Sequence, residues 1–306
     1  MFLSIDKLET NEVIIEGVLQ EVDLREGQMD RNGQLRDYVA GTVTIQVTQE
    51  VGGAQEVNEI PVSVFATKLK NDGNPNPAYA NIDTLRKTFV SMASGGDKAD
   101  VVRITRGEVN ENTFTTDGRT ITSFRIRNSF FNRVLTDVNQ IAAFKNKIVL
   151  LSVDPENGFD GTPTGRLMIK GAMVRYGSNV DVLTYYVEDP TAIAYISKNW
   201  NEGDTVNVSG RVRFTLATVE RMAEQEDVGF GEVLPTTSSR RVRELIITSG
   251  SAGALDEEES YDAEGEIMHA LAERKARIAA DAEKNSGNKA TPTPATRERK
   301  KFDGGF

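Results

Sequence analysis

Arginines recur at alternate positions in several extended stretches of this chain. In Phe124-Arg125-Ile126-Arg127 an extended chain would turn both apolar side chains one way and both guanidinium groups the other. Gly210-Arg211-Val212-Arg213-Phe214 repeats the arrangement. Arg240, Arg241 and Arg243 open a third extended run, and Arg103 stands within Val101 to Val109. Cationic rows on one sheet face, with Tyr38, Tyr176 and Tyr186 on neighbouring extended segments, suit a single nucleic-acid strand. Arginines neutralise phosphates without reading sequence, and aromatic faces stack bases for about 1 to 3 kcal/mol each. Any one pair is better explained by an exposed strand face kept soluble by arginine and threonine. Three sets in one chain favour function.

Other chemistry finds little support. The chain has no cysteine, so it has no disulfide, thiolate zinc site or thiol nucleophile, and a lone His269 in a charged helix supports neither a multi-histidine metal site nor a histidine-based triad. Gly52-Gly53 and Gly95-Gly96 lack the glycine, lysine and hydroxyl spacing that cradles phosphates. Asp154 with Glu156, or the run Asp256 to Glu259, could hold magnesium for a nuclease, but read more simply as solvated loops. The expectation is a non-enzymatic protein without cofactor or metal.

The 306 residues include 46 acidic and 36 basic side chains, a formal charge of -10. Residues 251 to 306 hold 12 acidic and 9 basic residues, so the acidity is not a property of the C-terminal region alone. Nucleic-acid binding would therefore depend on local arginine rows in an acidic body. An apolar content of 38% is enough for packed cores, and the length fits about two domains of ~150 residues. There is no basic stretch followed by an apolar run at the N-terminus, and no window of ~20 apolar residues. A cytoplasmic protein is expected, in the host cytoplasm if phage-encoded.

The elements that must position these residues are mostly strands. Val13 to Val22 forms an extended run ended by the turn-rich stretch Arg25 to Gln34. Tyr38 to Val47 alternates, with Val39, Val43, Ile45 and Val47 on one face. Val57 to Phe65 is a strand in which Pro61 requires an edge or a bulge. After the loop-like NDGNPNPAYAN, the spacing of Ile82, Leu85, Phe89 and Met92 predicts a helix. Val101 to Val109 and Ile121 to Val134 follow as strands around the turn at 116 to 119. The outline repeats from about Lys145: a strand from Ile148 to Val153, a hairpin of Arg166 to Tyr176 with Val180 to Val187, and a helix from Pro190 to Trp200. Strands Thr205 to Phe214 and Arg241 to Thr248 then flank a polar excursion, Thr218 to Ser239. Phe124, Phe214 and Trp200 share faces with aliphatic residues and belong to cores. Ala263 to Glu283 reads as a helix with a narrow apolar stripe of Ile267, Leu271 and Ile278, weakly docked. The tail from Asn285 is rich in Pro, Thr, Gly and Lys/Arg and reads as disordered.

Five strands with a helix between the third and fourth resemble the oligonucleotide/oligosaccharide-binding (OB) barrel. The stretch Gly203-Asp204-Thr205-Val206-Asn207-Val208-Ser209-Gly210-Arg211-Val212 is similar to the strand after the helix in such domains, and Asp97 to Val109 is its looser counterpart. Residues 10 to 250 resemble bacteriophage single-stranded DNA-binding proteins with tandem OB folds. The resemblance implies a mainly β chain of two five-stranded OB-like barrels, residues 1-140 and 141-250, then an acidic linker and helix, 251-284, and a flexible tail, 285-306. It implies sequence-tolerant single-stranded DNA binding in phage DNA replication, recombination or repair, with Phe302, Asp303 and Phe306 recruiting replication or recombination proteins and no membrane partner. The acidic run at 256 to 259 would compete with DNA for the arginines. The rival expectation is a virion or scaffold component using the same barrels for protein contacts.

Overall fold

The computed structural model describes residues 2–6, 11–31, 33–116, 119–158, 161–221 and 236–287. The first half contains β1 (Asn11–Arg31), β2 (Gln34–Val51), β3 (Ala54–Thr67), helices α1 (Pro77–Thr88) and α2 (Met92–Gly95), β4 (Val101–Thr116), β5 (Arg119–Arg127) and β6 (Asn132–Val134). The second contains β7 (Ile141–Asn157), β8 (Pro163–Arg175), β9 (Asn179–Val187), α3 (Pro190–Asn199), β10 (Thr205–Arg221), β11 (Thr236–Gly250) and, after a π-helical turn at Ala263–Ile267, α4 (Met268–Gly287).

The fold is mainly β, and its eleven strands join one sheet. Two circuits close within that sheet. β1 pairs with β2, β2 with β3, β3 with β5, β5 with β4, and β4 returns to β1. β7, β8, β9, β11 and β10 form the second circuit in the same order, and in each circuit one pair is parallel, β3 with β5 and β9 with β11. The circuits are sewn together where Asn11 to Glu16 of β1 pair with Asn146 to Ile141 of β7.

Alternation builds the interiors. Val39, Val43, Ile45 and Val47 of β2 are buried, as are Val206, Val208, Val212 and Phe214 of β10, and Phe124 and Trp200 join the same core. The helices repeat in detail. The Asn76 side chain accepts from the Ala78 N–H ahead of Pro77, and Asp189 accepts from the Ala192 N–H ahead of Pro190. Each helix ends on an aromatic residue: the Phe89 N–H donates to Leu85 O and the Trp200 N–H to Ile196 O, both at 3.0 Å. The following strands are entered alike, since Asp100 O accepts from the Leu19 N–H and Asp204 O from the Leu150 N–H, both at 2.9 Å. The two glycines of the Gly203–Gly210 motif have separate causes. Gly203 adopts φ 89°, which favours glycine. At Gly210, beside a β-bulge, a Cβ would meet Ile246 O at 1.9 Å, so the two backbones approach too closely for any side chain.

Several boundaries differ from the sequence expectation. Arg25 to Gln34 is not a turn: β1 and β2 stay paired out to Arg31 and Gln34, and only the tip at Gly33, φ 77°, reverses the chain. Backbone pairing holds this arm where side-chain composition suggested a loop. The backbone of the excursion after Thr218 also remains paired, Arg221 opposite Thr236, with 222–235 outside the described residues. α1 starts at Pro77 rather than Ile82, because Asn76 and Pro77 are a cap and a first helical residue rather than loop. Pro61 is accommodated beside the short β3–β5 contact, which involves only Val62 and Ser63.

The C-terminal helix is docked more firmly than its stripe suggests. Tyr261, Ile267 and Ala270 bury against Val149, Ala172, Val174 and Val180 of the second circuit. Leu3 joins this cluster, its N–H donating to Ser260 O at 2.8 Å, so residues 2–6 lie with the second circuit and not the first. Arg274 of α4 pairs with Glu111 of β4, tying helix, first circuit and second circuit together. Phe302, Asp303 and Phe306 lie outside the described residues.

Candidate nucleic-acid interface

The arginines separate into two populations. Arg211 and Arg213 of β10 do not stand free on a sheet face. Arg211 donates to Glu56 at 2.9 Å and to Glu188 at 2.7 Å. Arg213 donates to Glu56 at 3.0 Å, Glu188 at 2.7 Å and Glu244 at 2.9 Å. Arg166 completes the network on Glu156, Glu188 and Glu244, which also removes Glu156 from any metal-binding pair with Asp154. Burial acts to raise the Glu56 and Glu188 carboxyls, but hydrogen bonds and the Arg211 and Arg213 charges outweigh it and hold both below the ordinary range. Arg166, hydrogen-bonded first to Glu156, is pushed upward. Arg103 is likewise engaged, by the fully buried Glu16. These three expected site residues, Arg103, Arg211 and Arg213, therefore hold the fold together. An alternating pattern shows which face a side chain takes, not whether a distant strand supplies it with a carboxylate.

Arg125, Arg127, Arg241 and Arg243 form the second population, with no carboxylate in an ion pair among the described residues. Arg125 is crowded by its own kind: desolvation first, then the charges of Arg127 and Arg175, lower its pKa, with Asp181 opposing. Arg175 donates to Asp181 at 3.2 Å, and Asp181 also accepts from the Glu111 N–H at 2.8 Å. Three guanidinium groups around one committed carboxylate make a positive spot on an acidic protein. Arg175 was not among the expected residues; the signal for it was its place one residue before Tyr176 in the hairpin.

Arg241 and Arg243 line a groove of about 540 Å³ between the β10–β11 arm and the outer face of β1, β2 and β3. Its other walls include Gln20, Thr42, Thr44, Phe214 and Leu216, with Glu21 and Glu59 at the same surface. Arg243 lies 5.7 Å over the Phe214 ring, and Leu216, opposite Arg241, is 61% exposed. An adjoining hollow of about 740 Å³ shares Phe214, Thr215, Leu216 and Val242. Cations beside exposed apolar edges and hydroxyls can receive a phosphate and a base face together.

The tyrosines are placed differently from one another. Tyr38 shares the β2 face of Thr42 and Thr44 and packs on the half-exposed Phe65 at 5.6 Å, with an interplanar angle of 31°. Tyr176 is 89% exposed at the β8–β9 turn. Tyr186 is covered by Arg166, 4.6 Å from its ring, and its hydroxyl pKa is raised by burial and then by Glu244 and Glu156, so its face is not open for stacking. His269 is exposed and lies 3.8 Å from Glu273. Among the described residues no group of three or more His, Asp or Glu is arranged to hold a metal ion.

No curated protein matches the chain. Among solved structures, a deletion mutant of the single-stranded DNA binding protein from Thermus aquaticus aligns with a TM-score of 0.44 at 11% identity, covering 80% of this chain and 95% of that one. The wild-type protein from the same organism aligns with a TM-score of 0.42 at 10% identity, covering 80% and 93%. The YorF family model matches residues 9–286. With nearly every described residue inside that match, the chain belongs to the YorF family.

Proposed function

We propose that this protein binds single-stranded DNA without strong sequence preference and without catalysis, in phage-type DNA replication, recombination or repair. The observation that carries the reading is the groove in which Arg241 and Arg243, unpaired with any described carboxylate, face Thr42, Thr44 and Phe214. Where Arg103, Arg166, Arg211, Arg213 and Arg274 are taken up by glutamates, Arg241 and Arg243 stay exposed beside apolar surface. Phosphates would lie on Arg241 and Arg243, with Arg125, Arg127 and Arg175 as a second cationic spot, and bases against Leu216 and the Tyr38–Phe65 pair.

In this reading the two closed circuits are OB-fold-like barrels, the first within residues 1-140, with residues 2–6 packed on the second circuit, and the second within 141-250. The five-strand order with one parallel closure and a helix between the third and fourth strands supports it. Protein partners of residues 288–306, and a cytoplasmic site of action, belong to the same proposal. The acidic run 256–259 precedes the buried Ser260 and Tyr261, so removing 251–306 would strip an apolar face as well as charge. Its competition with DNA is better tested by neutralising Glu257 and Glu258.

The test is a fluorescence titration of oligothymidylate and of duplex DNA at two salt concentrations. Single-strand binding that weakens steeply with salt supports the reading. Salt-insensitive or absent binding removes it and leaves the rival, a virion or scaffold protein using the same circuits for protein contacts.

A further inference from the structure

The tip of the β1–β2 arm carries a further group of cations, apart from the groove and from the Arg125 cluster. Arg31 and Arg36 both donate through Nη1 to Asn71 Oδ1, at 3.2 and 3.0 Å. Two guanidinium groups thus converge on one neutral oxygen, and neither forms an ion pair with a carboxylate among the described residues. Lys68 and Lys70 border the same hollow of about 510 Å³, together with the exposed Leu35 and Leu69. None of the nearby carboxylates among the described residues forms an ion pair with Arg31 or Arg36, although Asp37 takes up Lys68 and the Lys70 charge acts on Asp72. Asp30 accepts from the Gly33 N–H, Asp72 from the Asn74 N–H, and Asp37 from Gln28 and Lys68.

Register connects this hollow to the groove. Arg36, Tyr38, Thr42 and Thr44 occupy alternate positions of β2 and so share one face, and Phe65 and Pro61 stand opposite Ala40 and Thr44 on β3. At ~3.3 Å per residue, Arg36 to Thr44 spans ~26 Å of strand. Along that length the face runs from two converging guanidinium groups, past the Tyr38–Phe65 ring pair, to the hydroxyls beside Arg241 and Arg243.

We infer that Arg31 and Arg36, positioned by Asn71 and aided by Lys70, are a phosphodiester clamp for the far end of the bound strand, so that the single strand lies along β2 from the groove to the arm tip. This rests on the single-strand reading and adds a path and a second grip to it. Charge supplied from one end only would let the strand swing; two cationic ends fix its direction over the ring pair.

Wild type and Arg31→Ala/Arg36→Ala are titrated with oligothymidylates of about 4 to 16 nucleotides over a range of salt. Two lost phosphate contacts lower the salt slope by about 1.4 and weaken the longer oligomers about tenfold, while the shortest, held by the groove alone, bind both proteins equally. Asn71→Ala gives part of the same loss. Wild-type binding with an unchanged slope in the double variant at every length overturns the clamp and leaves the single-strand reading standing; absence of salt-sensitive binding by wild type removes both. Should the double variant melt lower than wild type, Lys70→Ala reads the same effect, a slope smaller by about 0.7, and an unchanged slope overturns the clamp. Amide-exchange protection of Arg31 to Arg36 by inorganic phosphate equal to that by oligothymidylate marks a free-phosphate site and also overturns the strand assignment.

Discussion

The carboxylate of Glu56, on β3 of the first circuit, accepts a hydrogen bond at 2.9 Å from Arg211, on β10 of the second. Both side chains are largely buried, and Glu56 is the first-circuit member of a network otherwise built from the second. The adjacent Asn58 side chain accepts from the Phe214 N–H at 2.7 Å, and Phe124 meets Phe214 edge-on at 5.4 Å, so the ion pair seals a packed contact. Glu56→Ala leaves two guanidinium groups short of a partner and is expected to cost about 3 kcal/mol, measured by urea unfolding. A double cycle with Arg211→Met should show coupling above about 1 kcal/mol; additivity would mean that the network does not join the circuits.

The two arginine populations should respond oppositely. Arg241→Ala/Arg243→Ala is expected to lower the salt slope for oligothymidylate by about 1.4 with stability changed by less than about 1 kcal/mol. Arg211→Ala/Arg213→Ala should instead lower stability by about 3 kcal/mol or more, since it leaves the largely buried Glu56 without a cation and Glu188 with Arg166 alone. Equal effects of both pairs on binding at equal stability would erase the distinction.

Acid should loosen the contact between circuits. Glu56, Glu188 and Glu111 are all held below their ordinary value of 4.5 in the folded state. Their stabilisation is present in full above about pH 5 and is lost as pH falls through the depressed folded values, because the unfolded chain then takes up protons first. Asp181 has the opposite sign: desolvation raises its carboxyl, so its contribution improves as pH falls and offsets part of the loss. Chemical denaturation from pH 6 to pH 3 should show stability decreasing most steeply below pH 4.5, and Glu56→Gln should flatten the curve.

The latch between α4 and β4 is testable through Arg274. It donates to Glu111 at 2.6 and 2.7 Å, and the Glu111 side chain is 5% exposed. Arg274→Ala should cost about 3 kcal/mol and speed amide exchange in α4 ahead of the strands, whereas Ile267→Ala should cost about 2 to 4 kcal/mol through a cavity. Exchange in α4 that matches wild type in both variants would mean that neither contact holds the helix.

Gly210→Ala forces a Cβ to within 1.9 Å of Ile246 O and should cost about 3 kcal/mol; Gly253→Ala, whose nearest atom is 3.9 Å away, should be near neutral. Thermal melting of the two variants separates them.

Much of this architecture was legible in the sequence because it is local. Alternation in Tyr38 to Val47 and Thr205 to Phe214 fixed which side chains face the cores. Asn76-Pro77 and Asp189-Pro190 mark helix starts by hydrogen-bonding chemistry that needs only three neighbours, although composition hid the first behind a loop. The repeat of three strands, a helix and two strands was readable for the same reason. Long-range pairing was not. Nothing near Arg211 or Arg213 in the chain announces Glu56, about 155 residues away, and nothing near Arg274 announces Glu111. An arginine on a strand face looks alike in sequence whether it meets solvent, a phosphate or a glutamate, because charge compensation is a property of distance in space. Local pattern was enough for the strand faces, the repeat and the set of cationic candidates. Which of them are bound into the protein and which, Arg125, Arg127, Arg241 and Arg243, remain open follows from how two circuits of sheet are pressed together.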